Sequence, residues 1–353
     1  SSCSSTSCTI SSAPDAPKIE RKLAGIPVNA WTKVTTPKAR QSNRDHSTAA
    51  LDVDRGQILY FGGGRSAYCG TDVHLYSIRA NRWRASSWAD HPVGFDGSTG
   101  HHAQRWSFEG RPFISSHVFG MYAYDPRARL MLLHNRGDSF ALDPATGEWR
   151  RLEIDTPFIG GWVPKLCATP EGVIVWSSER KAGRVRPAGL WRFRDGSWRR
   201  LKTAGGKVPP TPGDDYGGMA YDPGQNRLLM FAGSRDAGFR GAWACSLADG
   251  RIAKIAVNNP SAGPRTPREA VCLPGSDLVL FPDVRKGGNL VLDLDAGAFR
   301  LLRVKDPPRV SPVSCGLLRD DRRGLIWLVS GERGWPIHVL RFDPETARLS
   351  ETK

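Results

Sequence analysis

The side chains best suited to chemistry recur at one point of a repeating pattern, the residues just ahead of each unit's first apolar run. Arg44, Asp45 and His46 stand there in the first unit, His117 in the second and Lys165 in the third. Asp214, Asp215 and Tyr216 follow in the fourth, and Arg268 with Glu269 in the fifth. Two loops add to the set: 62–72 brings Arg65 and Tyr68, and the insertion 89–116 brings His101, His102, Arg105, Trp106 and Arg111. An insertion of that length without strand pattern is uncommon unless it has a function or plugs an opening.

Several chemistries fit these residue types. Guanidinium forks and a lysine hold carboxylate, sulfate or phosphate groups, and aromatic faces stack on sugar rings. Arg44, Arg65, Arg105, Arg111 and Lys165 would supply the charge, with Tyr68, Trp106 and Tyr216 as the stacking faces. An anionic polysaccharide or cell-envelope polymer is therefore the first expected partner. A proton-abstracting enzyme is an alternative, with His46 or His117 as base beside a uronate carboxylate and Tyr216 returning the proton. A third is a structural envelope or filament component held to acidic polymer by its basic surface. Plainer readings exist too. His46 and His117 sit at equivalent repeat positions, where either serves by bonding a neighbouring unit's backbone. His74, His134 and His338 fall within strands and read as packing residues.

Charge supports an anionic partner. The chain carries a formal +15 over 353 residues, with a pI near 9.8. No nucleic-acid-binding motif accompanies that charge, so nucleic acid is not expected. No apolar run approaches the roughly 20 residues of a membrane-spanning helix. Among seven cysteines, Cys3 and Cys8 lie in a Ser-rich start and would close a small disulfide loop, indicating export to the outside or the cell surface. Cys167, Cys272 and Cys315 occupy similar places in three first strands and read as small core residues. No Cys/His spacing fits zinc, and no motif calls for a cofactor.

The elements that must position these residues come from the repeat. Its clearest copy runs through 117–126, 129–133, 139–144 and 147–152: strand, turn, strand, loop, strand, turn, strand. Short reversals rich in Asp, Pro and Gly, such as Asp143-Pro-Ala-Thr-Gly147, make the strands antiparallel hairpins. Asp293-Leu-Asp-Ala-Gly297 falls at one of these hairpins and reads as a turn rather than a calcium loop. Six such units occur between His46 and Leu349. A unit of this size cannot bury its own faces, so the copies must pack on one another in a closed ring. One surplus strand, Asn29–Val34 around Trp31, precedes them. The preferred account is an all-β ring of six four-stranded blades in which that strand completes the last blade. Residues 347–353 are then a fifth strand or a tail. Seven blades is the rival, its missing strands supplied upstream or by another chain. In that case edge strands recruit a protein partner or drive self-assembly.

At these residues the chain resembles the kelch-repeat β-propellers, the superfamily that includes the galactose oxidase propeller. The carriers are Phe61-Gly-Gly-Gly64, Tyr124-Asp-Pro126, Tyr221-Asp-Pro223, and Trp83, Trp149 and Trp198 opening fourth strands. Gly62–Val73 and Gly110–His117 look like segments of large secreted bacterial kelch-type proteins. The Ser-rich start reads as a tail or linker over 1–28, and the resemblance implies one propeller domain over 29–353. It also implies binding, scaffolding or enzymatic roles alike. Copper oxidase chemistry would need two His, two Tyr and a Cys on one metal. His46, His117, Tyr68, Tyr216 and Cys69 supply the types, but Cys69 adjoins Tyr68 and the family's spacing is not reproduced.

Overall fold

The computed structural model describes residues 16–34, 47–62, 70–87, 90, 109–112, 118, 120–135, 137–154, 156–157, 164–181, 184–211, 216–234, 236–312, 314–332 and 334–352. Among these the chain forms six antiparallel sheets, five of four strands and one of five. The blades have their first strands at Thr48–Asp52, Tyr122–Asp125, Lys165–Thr169, Gly217–Asp222, Val271–Cys272 and Cys315–Asp320. These inner strands pack side by side, the first against both the second and the sixth, so the ring closes. The fold is a six-bladed β-propeller.

Alternation along each strand explains why the blades stack. In blade one, Leu59 and Phe61 pack on Tyr122, Met131 and Phe140 of blade two. Their neighbours Ile58 and Tyr60 point the other way, onto Trp327, Val329 and Ile337 of blade six. Strands apolar on both faces are what a blade sandwiched between two others requires.

The recurrent Asp at the end of a first strand is a turn cap. The Asp52 carboxylate accepts the backbone N–H of Asp54 (3.1 Å) and Arg55 (3.0 Å). Asp125 accepts those of Arg127 and Ala128, each at 2.9 Å. Asp222 and Asp320 repeat the device with Gly224 (3.0 Å) and Arg323 (3.2 Å). Asp293 does the same for Ala296 at 2.9 Å, so the 293–297 segment is a turn.

The surplus N-terminal strand closes the ring within the same chain. Trp31–Val34 pairs antiparallel with Ile337–Leu340, Trp31 opposite Leu340 and Val34 opposite Ile337. Its tryptophan behaves as a fourth-strand tryptophan. Two such indole N–H groups donate back to the preceding blade, Trp149 to the Thr71 carbonyl (3.2 Å) and Trp198 to Ser139 (2.9 Å). Trp31 likewise donates to Asn289 of blade five at 2.8 Å. The C-terminal strand Arg348–Glu351 is a fifth strand, and it lies on blade five, where it pairs with Arg300–Arg303.

Ordered structure also begins upstream of residue 29. Ala16–Ala24 is an α-helix. Ile19 and Leu23, together with Ile26 just after it, are buried against blades one and six. Arg341 donates to the Leu23 carbonyl at 3.0 Å, satisfying one of the helix's terminal acceptors.

Candidate functional site

A cavity of about 500 Å³ runs along the ring axis between the inner strands. Glycines let those strands come together. A Cβ on Gly218 would stand 1.9 Å from the Pro267 carbonyl oxygen and 2.7 Å from that of Arg268. On Gly316 it would meet Ala49 at 2.5 Å. Only a residue without a side chain permits these approaches.

Lys165, Arg268 and Glu269, three of the sequence candidates, converge at one end of this cavity. All are buried, at 1%, 6% and 8% exposure. Lys165 opens the inner strand of blade three, and its stem passes Gly120, whose φ of +66° and missing Cβ leave room for it. Glu269 ties three blades together. One carboxylate oxygen accepts the Thr48 hydroxyl of blade one (2.6 Å) and the other the Leu317 N–H of blade six (3.1 Å). Tyr122 sits nearby with its hydroxyl engaged by backbone, accepting the Phe61 N–H at 3.1 Å and contacting the Thr48 carbonyl.

Burial pushes the Glu269 carboxyl up to about 7, against the opposing pull of its Thr48 and Leu317 hydrogen bonds and of the Arg268 and Lys165 charges. The folded state thus holds the proton more tightly than the unfolded chain does. The resulting stabilisation is full below the ordinary 4.5 and is lost as pH rises through about 7, which corresponds to about 3 kcal/mol. Chemical denaturation between pH 4.5 and 8 should show this decline in the wild type. Glu269→Gln should flatten it, and an equal slope in the variant would refute the assignment.

The opposite end of the cavity is built differently. Arg319 is held by Asp321 at 2.6 Å and by the Cys272 carbonyl at 2.9 Å. Tyr124 donates to Asp54 at 2.6 Å, and Tyr221 to Asn226 at 3.0 Å. Burial and the Asp54 bond raise the Tyr124 hydroxyl above its usual range. Val53, Pro170 and Asp321 are exposed here and Tyr221 half-buried, so the cavity opens at this end. Cys272 and Cys315 are buried as expected. Cys167 differs: it is half-buried and lines the cavity. Its thiol is pushed up to about 12 by desolvation, so it is protonated at neutral pH and a poor nucleophile.

Of the other sequence candidates, Arg111 pairs with Glu109 at 2.5 Å, away from the cavity lining. Tyr216 is half-buried ahead of blade four, its carbonyl accepting the Gly233 N–H at 2.5 Å, and it does not line the cavity either. Arg44, His46, Arg65, Tyr68, His101, His102, Arg105, Trp106, His117 and Asp214 lie outside the described residues, as do Cys3, Cys8 and Cys69. Among the described residues no three His, Cys, Asp or Glu side chains gather as metal ligands. Sequence reasoning missed Thr48, the hydroxyl that meets Glu269, and the Arg319–Asp321 pair at the open end. Thr48 follows His46 by two positions at the same repeat point, which was the available signal.

No protein-family model matches the chain, and no curated protein matches it. Among solved structures, that of YjhT superposes with a TM-score of 0.53 at 11% sequence identity, covering 90% of this chain and 99% of that one. In all, 441 chains of solved structures match, and so broad a likeness speaks for the fold and selects no activity.

Proposed function

We propose that this protein is an extracellular kelch-type propeller that binds an anionic polymer, an acidic or sulfated polysaccharide, at the channel face where Lys165 and Arg268 lie. The observation that carries the reading is the meeting, among the described residues, of the Lys165 and Arg268 cations from blades three and five with the Glu269 carboxylate at one end of the axis. Charges held in a low-dielectric wall are weakly screened and focus their field outward through the nearest opening. The formal +15 of the whole chain adds long-range attraction for a polyanion. The loop candidates at 44–46, 65–68, 101–106 and 117 lie outside the described residues, and in this reading they add to the polymer contacts of Lys165 and Arg268.

The test is electrophoresis of polyuronate, sulfated and neutral polysaccharides incubated with the protein, with and without chelator. Acidic polymers should be retarded and remain full length, and the neutral one should run unchanged. Shortened polymer would replace binding with catalysis, and unaltered migration of every acidic polymer would remove the reading.

A further inference from the structure

The strand that closes the ring sets two basic side chains against each other. Lys33 stands opposite His338 where Trp31–Val34 pairs with Ile337–Leu340. On its other side His338 faces Leu328, which is uncharged. Side chains alternate along a strand, so His338 shares a face with Leu340, and Lys33 with Trp31. Leu328, Leu340 and Trp31 all pack toward blade five, on Val291 and Leu302. Charges from that blade bring no relief. Arg300, on the face of Leu302, is paired with Asp293 at 3.4 Å. The connection that lays Val304 and Val310 on the same cluster carries Lys305, Asp306 and Arg309, all exposed and two to one cationic. Lys33 is exposed and His338 half-buried, with its Nδ1 buried and without a hydrogen-bond partner. Protonation would turn that nitrogen into a buried N–H donor with nothing to receive it. It would also place like charges directly opposite each other in the ladder, which weakens a strand pair.

We propose that acidification unlatches the N-terminal strand: a proton on His338 turns its pairing with Lys33 into a contact of two cations and loosens Trp31–Val34 from the edge Ile337–Leu340, while the other blades keep their ladders. Burial first, and the Lys33 charge second, hold the imidazole below its ordinary 6.5. The opened chain therefore takes up the proton before the closed one does. The hold of this strand is whole above pH 6.5 and declines as pH falls through that value and on through the lower one of the folded protein. Glu269 acts in the opposite sense, stabilising the fold on acidification, so a weakening at low pH cannot arise from it.

Hydrogen–deuterium exchange of the full chain at about pH 7.5 and about pH 5, corrected for the pH dependence of intrinsic exchange, tests the latch. Protection over residues 31–34 should fall about fivefold or more at the lower pH, whereas that of the strand Arg227–Ser234 in blade four should hold. His338→Gln should leave protection of 31–34 the same at both pH values. Lys33→Glu sets a carboxylate opposite the imidazolium, so protection there should hold or rise on acidification. Unchanged protection in the wild type, an undiminished acid decline in His338→Gln, or the same decline in Lys33→Glu would each overturn the proposal. An equal loss in blade four would do so as well, since it would mean that the whole ring opens rather than its latch.

Discussion

Removal of residues 1–34 should abolish the folded monomer. This segment contributes the buried side chains Ile19, Leu23, Ile26, Trp31 and Val34. Burial of a large apolar side chain is worth about 1.5–3 kcal/mol, so the five together amount to about 10 kcal/mol, comparable with the whole stability of a typical domain at about 5–15 kcal/mol. Hydrogen bonds go as well: the ladder to Ile337–Leu340 and the Trp31 indole bond to Asn289. What remains is a blade with a bare edge at Ile337–Leu340, a template for pairing with another chain. The truncated chain should therefore appear as aggregate or oligomer by size-exclusion chromatography with light scattering, with no cooperative thermal transition. A truncated monomer melting within a few degrees of the full chain would show that the strand is dispensable for closure.

Gly218→Ala should be among the most damaging single-atom-scale changes. The added methyl would have to occupy space 1.9 Å from one carbonyl oxygen and 2.7 Å from another, both belonging to backbone in blade five. Backbone cannot swing aside like the tip of a long side chain, so blades four and five must move apart at the axis. Overpacking of well-packed sites costs about 1–3 kcal/mol, and a clash with fixed backbone belongs at or above the top of that range. Gly224→Ala is the control, for its nearest neighbour is the Asp222 carboxylate at 3.3 Å in an exposed turn. Urea denaturation should place the first variant about 3 kcal/mol or more below the wild type and the second within about 0.5 kcal/mol of it. Similar midpoints for the two would mean that the inner strands do not pack as tightly as described.

The repeat was readable because its signals are local. Turn-capping aspartates, hairpin glycines and alternating apolar residues each act within a few positions, and they mark the strands wherever they occur. Trp31 was assignable for the same reason, since it stands in its strand as Trp149 and Trp198 stand in theirs. The C-terminal strand was harder. Nothing in Arg348–Glu351 states which blade it joins, because an edge strand's partner is chosen by geometry at a distance. The helix at Ala16–Ala24 left a trace that the Ser-rich neighbourhood obscured: Ile19, Leu23 and Ile26 follow the spacing of one helical face.

At the candidate site the division is sharper. Lys165, Arg268 and Glu269 were marked by their position before first strands, and the ring brings them to one end of the axis. Arg111 was marked as well, and among the described residues it pairs with Glu109. The link from Glu269 to Thr48 joins residues 221 positions apart and exists only once the ring has closed. An apolar channel has no local signature either, since its walls are drawn from the inner strands of all six blades.

The cations of the channel end, rather than basic charge in general, should recognise an acidic polymer. Retardation of a polyuronate should be compared for the wild type, for Lys165→Met/Arg268→Met, and for Arg251→Ala/Lys254→Ala, which removes the same formal charge from exposed positions near the rim of blade four. Retention should weaken by about tenfold or more in the channel variant, as expected for losing charge-assisted contacts, and stay near wild type in the rim variant. Equal weakening of the two, or none in the channel variant, would contradict this recognition.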